Sequence, residues 1–167
     1  MSETVPEGWN AKNLGENLVT LTDYTANGSF AALKENVTYY SELNYAALVR
    51  TTDLEKREFE PQRFTDKQGF EFLSKSTLYE NDIVVANVGS AGKAYKIPKC
   101  SIPMTLAPNM YLVKFNAENV DRNFAFQVLI WDETIRQLKR SLGTTTLSAI
   151  NKSAFRQLPF LTPPLPE

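Results

Sequence analysis

The sequence predicts an α+β fold, a twisted mixed or antiparallel sheet joined to one long helix in the C-terminal half. Three features of the chain point there. Apolar runs rich in β-branched or aromatic residues are short and bounded by turn residues, at Tyr45–Arg50, Ile83–Val88 and Tyr111–Phe115. These runs do not alternate with helical patterns, which argues against βαβ units and a parallel sheet. One sustained helical periodicity follows, with Val120, Phe124, Val128, Trp131, Ile135, Leu138 and Leu142 recurring at three- and four-residue intervals. No repeat, low-complexity tract or Gly/Ser linker divides the 167 residues, so one structural unit spanning 1–167 is expected. A chain of this size buries roughly 70% of the surface its unfolded form exposes.

In chain order, residues 1–5 are expected to be disordered. The stretch PEGWNAKNLGENL then places Trp9, Leu14 and Leu18 at spacings that suit an anchoring aromatic followed by a short helix. Asn27-Gly28 marks a turn. The strand Tyr45–Arg50 opens into a polar loop at Thr51, Thr52 and Asp53, and the strand Ile83–Val88 runs into a Gly-Ser-Ala-Gly-Lys turn at 89–93. The long helix is expected over Val120–Leu142, capped by Asn119 and ended by Gly143 in the left-handed conformation. Arg136, Lys139 and Arg140 in its last turns suit the helix dipole. A polar loop at 143–150, a short helix over Asn151–Phe155, a five-residue strand and a proline-rich exit complete the chain.

Composition narrows the chemistry. The chain is 43% hydrophobic and 22% charged, within the range of ordinary globular proteins. It contains no histidine, which removes the usual general base and the commonest metal ligand, and with them Ser-His-Asp, Cys-His and zinc sites. No Asp or Glu stands two residues before a lysine, as a carboxylate-lysine metal nuclease would require. The turn at 89–93 is too short for G-x-x-x-x-G-K-[ST]. No cofactor or metal site is therefore expected. Cys100 stands alone, which excludes an internal disulfide framework and reads as a small apolar filler. No segment approaches the roughly 18 apolar residues that span a bilayer, and no leader pattern opens the chain, so a cytoplasmic location is expected.

Charge is distributed unevenly although the net is only −1. Residues 1–82 hold 14 acids and 8 bases, while residues 83–167 hold 5 acids and 10 bases. Lys93, Lys96, Lys99 and Lys114 lie in a stretch, 83–117, that has no carboxylate, and 134–166 carries Arg136, Lys139, Arg140, Lys152 and Arg156 with none. Such asymmetry is the footprint of a face that meets a polyanion, and solvated surface lysines produce weaker versions of it.

Four stretches in order resemble the target-recognition domains of specificity subunits in type I restriction-modification systems. They are PEGWNAKNLGE at Pro6–Glu16, YAALVRTTDLE at Tyr45–Glu55, LYENDIVVANVGSAGKAY at Leu78–Tyr95 and GTTTLSAINKSAFRQLPFLTPPLPE at Gly143–Glu167. The resemblance implies a noncatalytic DNA reader that guides methyltransferase and restriction subunits to one half of a split double-stranded target. Complete specificity subunits carry two such domains separated by long helices. By that resemblance the chain stops where the first of those helices would begin, either as a half-length product or as a cut fragment, and a second specificity half or a homodimer is a candidate partner.

Three loops are the candidate DNA contacts. In the first, Gly89 and Gly92 allow close backbone approach, Asn87 and Ser90 offer short polar groups, and Lys93, Tyr95 and Lys96 form a phosphate-facing edge; the plainer reading is a hairpin tip with solvated lysines. The second is Arg50, Thr51 and Thr52, where arginine can pair with a guanine edge or, more simply, with Asp53 or Glu55. The third is Thr144, Thr145 and Thr146 with Lys152, holding phosphate or merely capping helices. The acidic run DLEKREFEP reads as a solvated face from which Arg57 and Arg63 reach outward. Tyr39, Tyr40, Phe70 and Phe72 read as core. Two rival functions remain open on sequence. One is a protein-interaction module using the Trp9 end and the proline-rich exit, and the other a carboxylate hydrolase using Glu80 and Asp82, which capping explains better.

Overall fold

The computed structural model describes residues 5–165. Residues 1–4, where most of the expected N-terminal disorder falls, lie outside the described residues. Among the described residues ten strands form three sheets. The strands are β1 (Asn10–Asn13), β2 (Leu18–Asp23), β3 (Ala46–Val49), β4 (Phe64–Thr65), β5 (Thr77–Leu78), β6 (Ile83–Ala86), β7 (Ala94–Lys96), β8 (Met104–Leu106), β9 (Met110–Phe115) and β10 (Pro159–Thr162). The α+β expectation holds, with the strands divided among an antiparallel sheet β2-β9-β6-β7, a mixed sheet β4-β3-β8-β5 and the pair β1-β10.

The central strands are apolar on both faces because both faces are covered. Ile83, Val85, Tyr111 and Val113 point into a core shared with the C-terminal helices. Their neighbours Val84, Met110 and Leu112 point the other way, against Ala47, Val49, Met104 and Leu106 of the mixed sheet. Successive side chains of a strand alternate faces, so a helix layer, the antiparallel sheet and the mixed sheet stack in that order. Cys100 packs at the edge of the second core, as a small apolar filler should.

Among the described residues six α-helices join the sheets: α1 (Phe30–Asn36), α2 (Thr51–Leu54), α3 (Lys67–Phe72), α4 (Arg122–Ile130), α5 (Asp132–Ser141) and α6 (Lys152–Arg156). The helix expected over 120–142 is thus two helices. Trp131 between them is extended (φ −73°, ψ 134°) and 62% exposed, and Asp132 and Glu133 open α5 at its positive dipole end. The Thr134 hydroxyl donates to the Val128 carbonyl across the break. Ala125, Leu129 and Leu138 still face the core, so the apolar periodicity passes through the interruption without recording it. Asp121, not Asn119, caps the start, accepting from the Phe124 N–H at 2.9 Å. Gly143 ends α5 at φ +62° as expected.

The N-terminal segment also differs from a plain short helix. β1 precedes a single 3-10 turn over Leu14–Asn17, and β1 pairs antiparallel with β10, setting residues 10–13 beside 159–162. Trp9 anchors there by packing edge-on against Phe124 of α4, with ring centroids 6.0 Å apart. The Asn27-Gly28 turn closes another 3-10 turn, Tyr24–Asn27.

Candidate nucleic-acid interface

The loop between β6 and β7 is strapped to the segment before α6. Gly89 N–H donates to the Ser148 carbonyl at 3.2 Å, Ile150 N–H donates to the Asn87 carbonyl at 2.8 Å, and Val88 and Ala149 form an antiparallel bridge between them. Two glycines make the loop possible. Gly89 (φ +77°) and Gly92 (φ +91°) both adopt left-handed backbone, and a Cβ at Gly92 would lie 2.7 Å from Ile135 Cδ1. The loop is therefore a built structure seated on α5, unlike a free hairpin tip.

On one side the loop meets the junction between β3 and α2. A cleft of about 620 Å³ is walled by Arg50, Thr51, Thr52, Glu55 and Arg63, by Val88, Gly89 and Ser90, and by the β8–β9 turn with Pro108 and Asn109. On the other side a shallower concavity of about 430 Å³ runs from Ser90 and Lys93 to Lys139, Thr145 and Thr146. The three candidate loops thus form one continuous surface, with Gly89 and Ser90 on the ridge between its two hollows.

Arg50 is held by its neighbour in the chain. The Asp53 carboxylate, fully buried, accepts from Arg50 N–H at 3.0 Å, Nε at 3.1 Å and Nη2 at 2.9 Å. This closes the single turn of α2 where a polar loop was expected, and the hydrogen bonds that Arg50 donates to Asp53 push its guanidinium further towards the charged form. The pairing is the simpler of the two expected arrangements, and it leaves a side chain one-third exposed on the cleft wall.

Ser90, Lys93 and Tyr95 share a partner that the sequence did not suggest. Glu55 Oε1 accepts from Tyr95 OH at 2.7 Å, Lys93 Nζ at 3.1 Å and Ser90 Oγ at 3.5 Å. Hydrogen bonds from Tyr95 and then Lys93 hold the Glu55 carboxyl below the usual carboxylate range. Burial, followed by the same carboxylate, pushes the Tyr95 phenol up, so it remains a neutral donor. Glu55 therefore departs from the solvated role expected for the acidic run.

Other expected residues are placed apart. Lys96 sits opposite Ile83, the first residue of β6, whereas the loop leaves from the last, Ala86; its ammonium bonds Asn123 at 2.8 Å and lies over the Phe126 ring. Lys152 pairs with Asp23 at 2.7 Å. Burial works against the Asp23 charge, but hydrogen bonds from Lys152 and Thr25 outweigh it and lower the carboxyl. The start of α6 is closed by Asn151, whose side chain accepts from Ala154 N–H at 2.8 Å. Thr144 folds back on Thr146, donating to its carbonyl at 2.8 Å, while Thr145 and Thr146 reach the shallower hollow. Asn87 is partly exposed, and its Oδ1 is buried with no hydrogen-bond partner among the described residues.

Four contributors were missed or misjudged from sequence. Tyr39, expected in the core, is 48% exposed and lines the cleft, as do Pro108 and Asn109. Lys139, read as part of the basic stretch and as a partner of the helix dipole but assigned to none of the three loops, lines the second hollow. Arg63 does reach the cleft wall; Arg57 is not among its lining residues. Asp82 accepts from Tyr79 N–H at 2.9 Å and lies 3.6 Å from Lys114, the capping arrangement that was the simpler explanation of the Glu80/Asp82 pair. Among the described residues no group of three or more His, Cys, Asp or Glu is placed to hold a metal ion, and no helix is long and apolar enough to cross a membrane.

Three solved structures of similar fold come from type I restriction-modification systems. A chain from a structure described as the basis of complex assembly and conformational transition of the type I R-M system superposes with a TM-score of 0.63 at 14% identity, over 98% of this chain and 36% of that one. The HsdS subunit from Thermoanaerobacter tengcongensis superposes at 0.61 with 13% identity, over 98% and 35%. The type I restriction-modification S subunit from M. genitalium gives 0.50 with 13% identity, over 96% and 35%. This chain spans about a third of the length of the solved chains it matches. No curated protein sequence matches it. The family described as the type I restriction modification DNA specificity domain matches residues 6–167, and the chain belongs to that family.

Proposed function

We propose that the chain is a noncatalytic, sequence-specific reader of one half of a bipartite double-stranded DNA target. In this reading it directs methyltransferase and restriction subunits to the site, works in the cytoplasm, and depends on a second specificity half or a second copy of itself for the other half-site. Membership of a DNA specificity family supports the ligand class, and one observation supports the choice of surface. Three loops distant in sequence meet on a single surface rich in lysine, arginine and hydroxyl groups.

The surface divides the work as DNA recognition requires. Phosphate contacts position a protein while base edges specify sequence. Arg50, oriented by Asp53, and the hydroxyls of Thr51 and Thr52 line the deeper cleft and are the base-reading candidates. Lys93, Lys139 and Arg63 with Thr145 are the phosphate-facing group. Lys96 and Lys152, each engaged elsewhere, serve the fold in this reading.

Salt dependence separates these roles. Lys93→Ala should weaken duplex binding across sequences and flatten the slope of log K against log salt by about 0.9, the value for one phosphate contact. Lys96→Ala should leave the slope unchanged. Equal slopes for the wild type and Lys93→Ala, or an effect of Lys96→Ala as large as that of Lys93→Ala, would move the phosphate contacts elsewhere.

A further inference from the structure

Three donors of the β6–β7 hairpin converge on one oxygen atom. Ser90 Oγ, Lys93 Nζ and Tyr95 OH all lie within 3.5 Å of Glu55 Oε1, and they come from 35 to 40 residues further along the chain. One ammonium and two hydroxyls around a single anionic oxygen is the donor set that a phosphate oxygen takes. Here it is filled by a side chain of the protein itself. Among the described residues lining the two hollows, Glu55 is the one carboxylate.

Glu55 is also placed to leave. It ends the short α2 turn at the start of the exposed run 55–58, and its side chain is 38% exposed while that of Lys93 is 62% exposed. Exposed ion pairs contribute little net stability, and the contact spans no buried group comparable to Asp53. A polyanion brings many phosphates to the same donors at high local concentration and releases its counterions on contact.

We propose that Ser90, Lys93 and Tyr95 form a subsite for a backbone phosphate of DNA, and that Glu55 occupies it as an internal stand-in which the phosphate displaces. The inference rests on the DNA-reading assignment. Its consequence is that Glu55 weakens binding to every duplex by a similar factor, whatever the sequence, so that productive binding depends more heavily on base contacts in the adjoining cleft.

The test uses the full chain, the variants Glu55→Gln, Glu55→Ala and Lys93→Ala, and the double variant Glu55→Gln/Lys93→Ala. Each is titrated with a short duplex of arbitrary sequence and separately with inorganic phosphate at equal phosphate concentration, followed by amide NMR shifts, which read weak binding. Removing the carboxylate should tighten duplex binding about threefold to tenfold, the scale of one unit charge at close range in water. Lys93→Ala should cost more affinity in the Glu55→Gln background than in the wild type, because the free lysine no longer has an internal partner to give up. Ser90 and Lys93 amides should respond to the duplex and not to inorganic phosphate.

Unchanged or weaker duplex binding by both Glu55 variants overturns the subsite while leaving DNA reading intact. A response of Ser90 and Lys93 to inorganic phosphate equal to that of the duplex overturns the assignment to the DNA backbone. No duplex binding by any folded variant overturns both the subsite and the reading on which it rests.

Discussion

The β3–α2 junction and the β6–β7 loop each present a basic residue to the same surface, and each basic residue has a carboxylate partner. The partners differ in burial. Arg50 is tied to Asp53, which is fully buried and three residues away, whereas Lys93 is tied to Glu55, which is exposed and 38 residues away. A buried partner with three hydrogen bonds orients its cation, while an exposed partner merely occupies it. The first arrangement suits a residue that must meet a base edge in one geometry, and the second suits a cation that exchanges one anion for another.

The comparison is broken most strongly at Asp53. Asp53→Ala strips three N–H groups of their acceptor and frees the Arg50 side chain. It should destabilise the protein by about 2–3 kcal/mol, below the roughly 3–5 kcal/mol of a fully buried pair because Arg50 is itself partly solvated. Urea denaturation measures this. A loss no larger than that of an exposed ion pair would mean that Asp53 does not anchor the junction.

Within the β6–β7 loop, the two glycines sharpen the contrast between a seated and an open part. Gly92→Ala should cost about 2 kcal/mol, since it adds a left-handed residue and forces Ile135 and Leu147 to give way. Gly89→Ala meets nothing within 4 Å and should cost about 1 kcal/mol from backbone strain alone. Thermal melts of the two variants rank them, and equal costs would contradict the seating of the loop on α5. Lys93→Ala should change stability by less than about 0.5 kcal/mol, so its effect on DNA is separable from folding.

These two regions also mark what could be read from the chain alone. The strands β3, β6 and β9 were legible because burial on both faces writes an uninterrupted apolar run, and Gly143 was legible because a helix end in the left-handed region favours glycine. The Arg50–Asp53 pair was legible as one of two options, since its partners are local. The Glu55 contacts were not, because no local pattern records a partner 35 to 40 residues distant. Trp131 shows a different limit. It keeps the helical spacing of its neighbours while its backbone is extended and its ring exposed, so periodicity ran on across a break. Strands of two residues, such as β4 and β5, are too short to show any period at all.

The most direct measurement is a selection from randomised duplexes, using the chain together with the methyltransferase subunits proposed to assemble with it and repeated with Arg50→Ala. The wild type should return one short, fixed, asymmetric base motif. The variant should lose about 1–3 kcal/mol of discrimination at a single position of it. A folded, assembled complex that returns no motif would contradict the assignment of this surface to reading DNA.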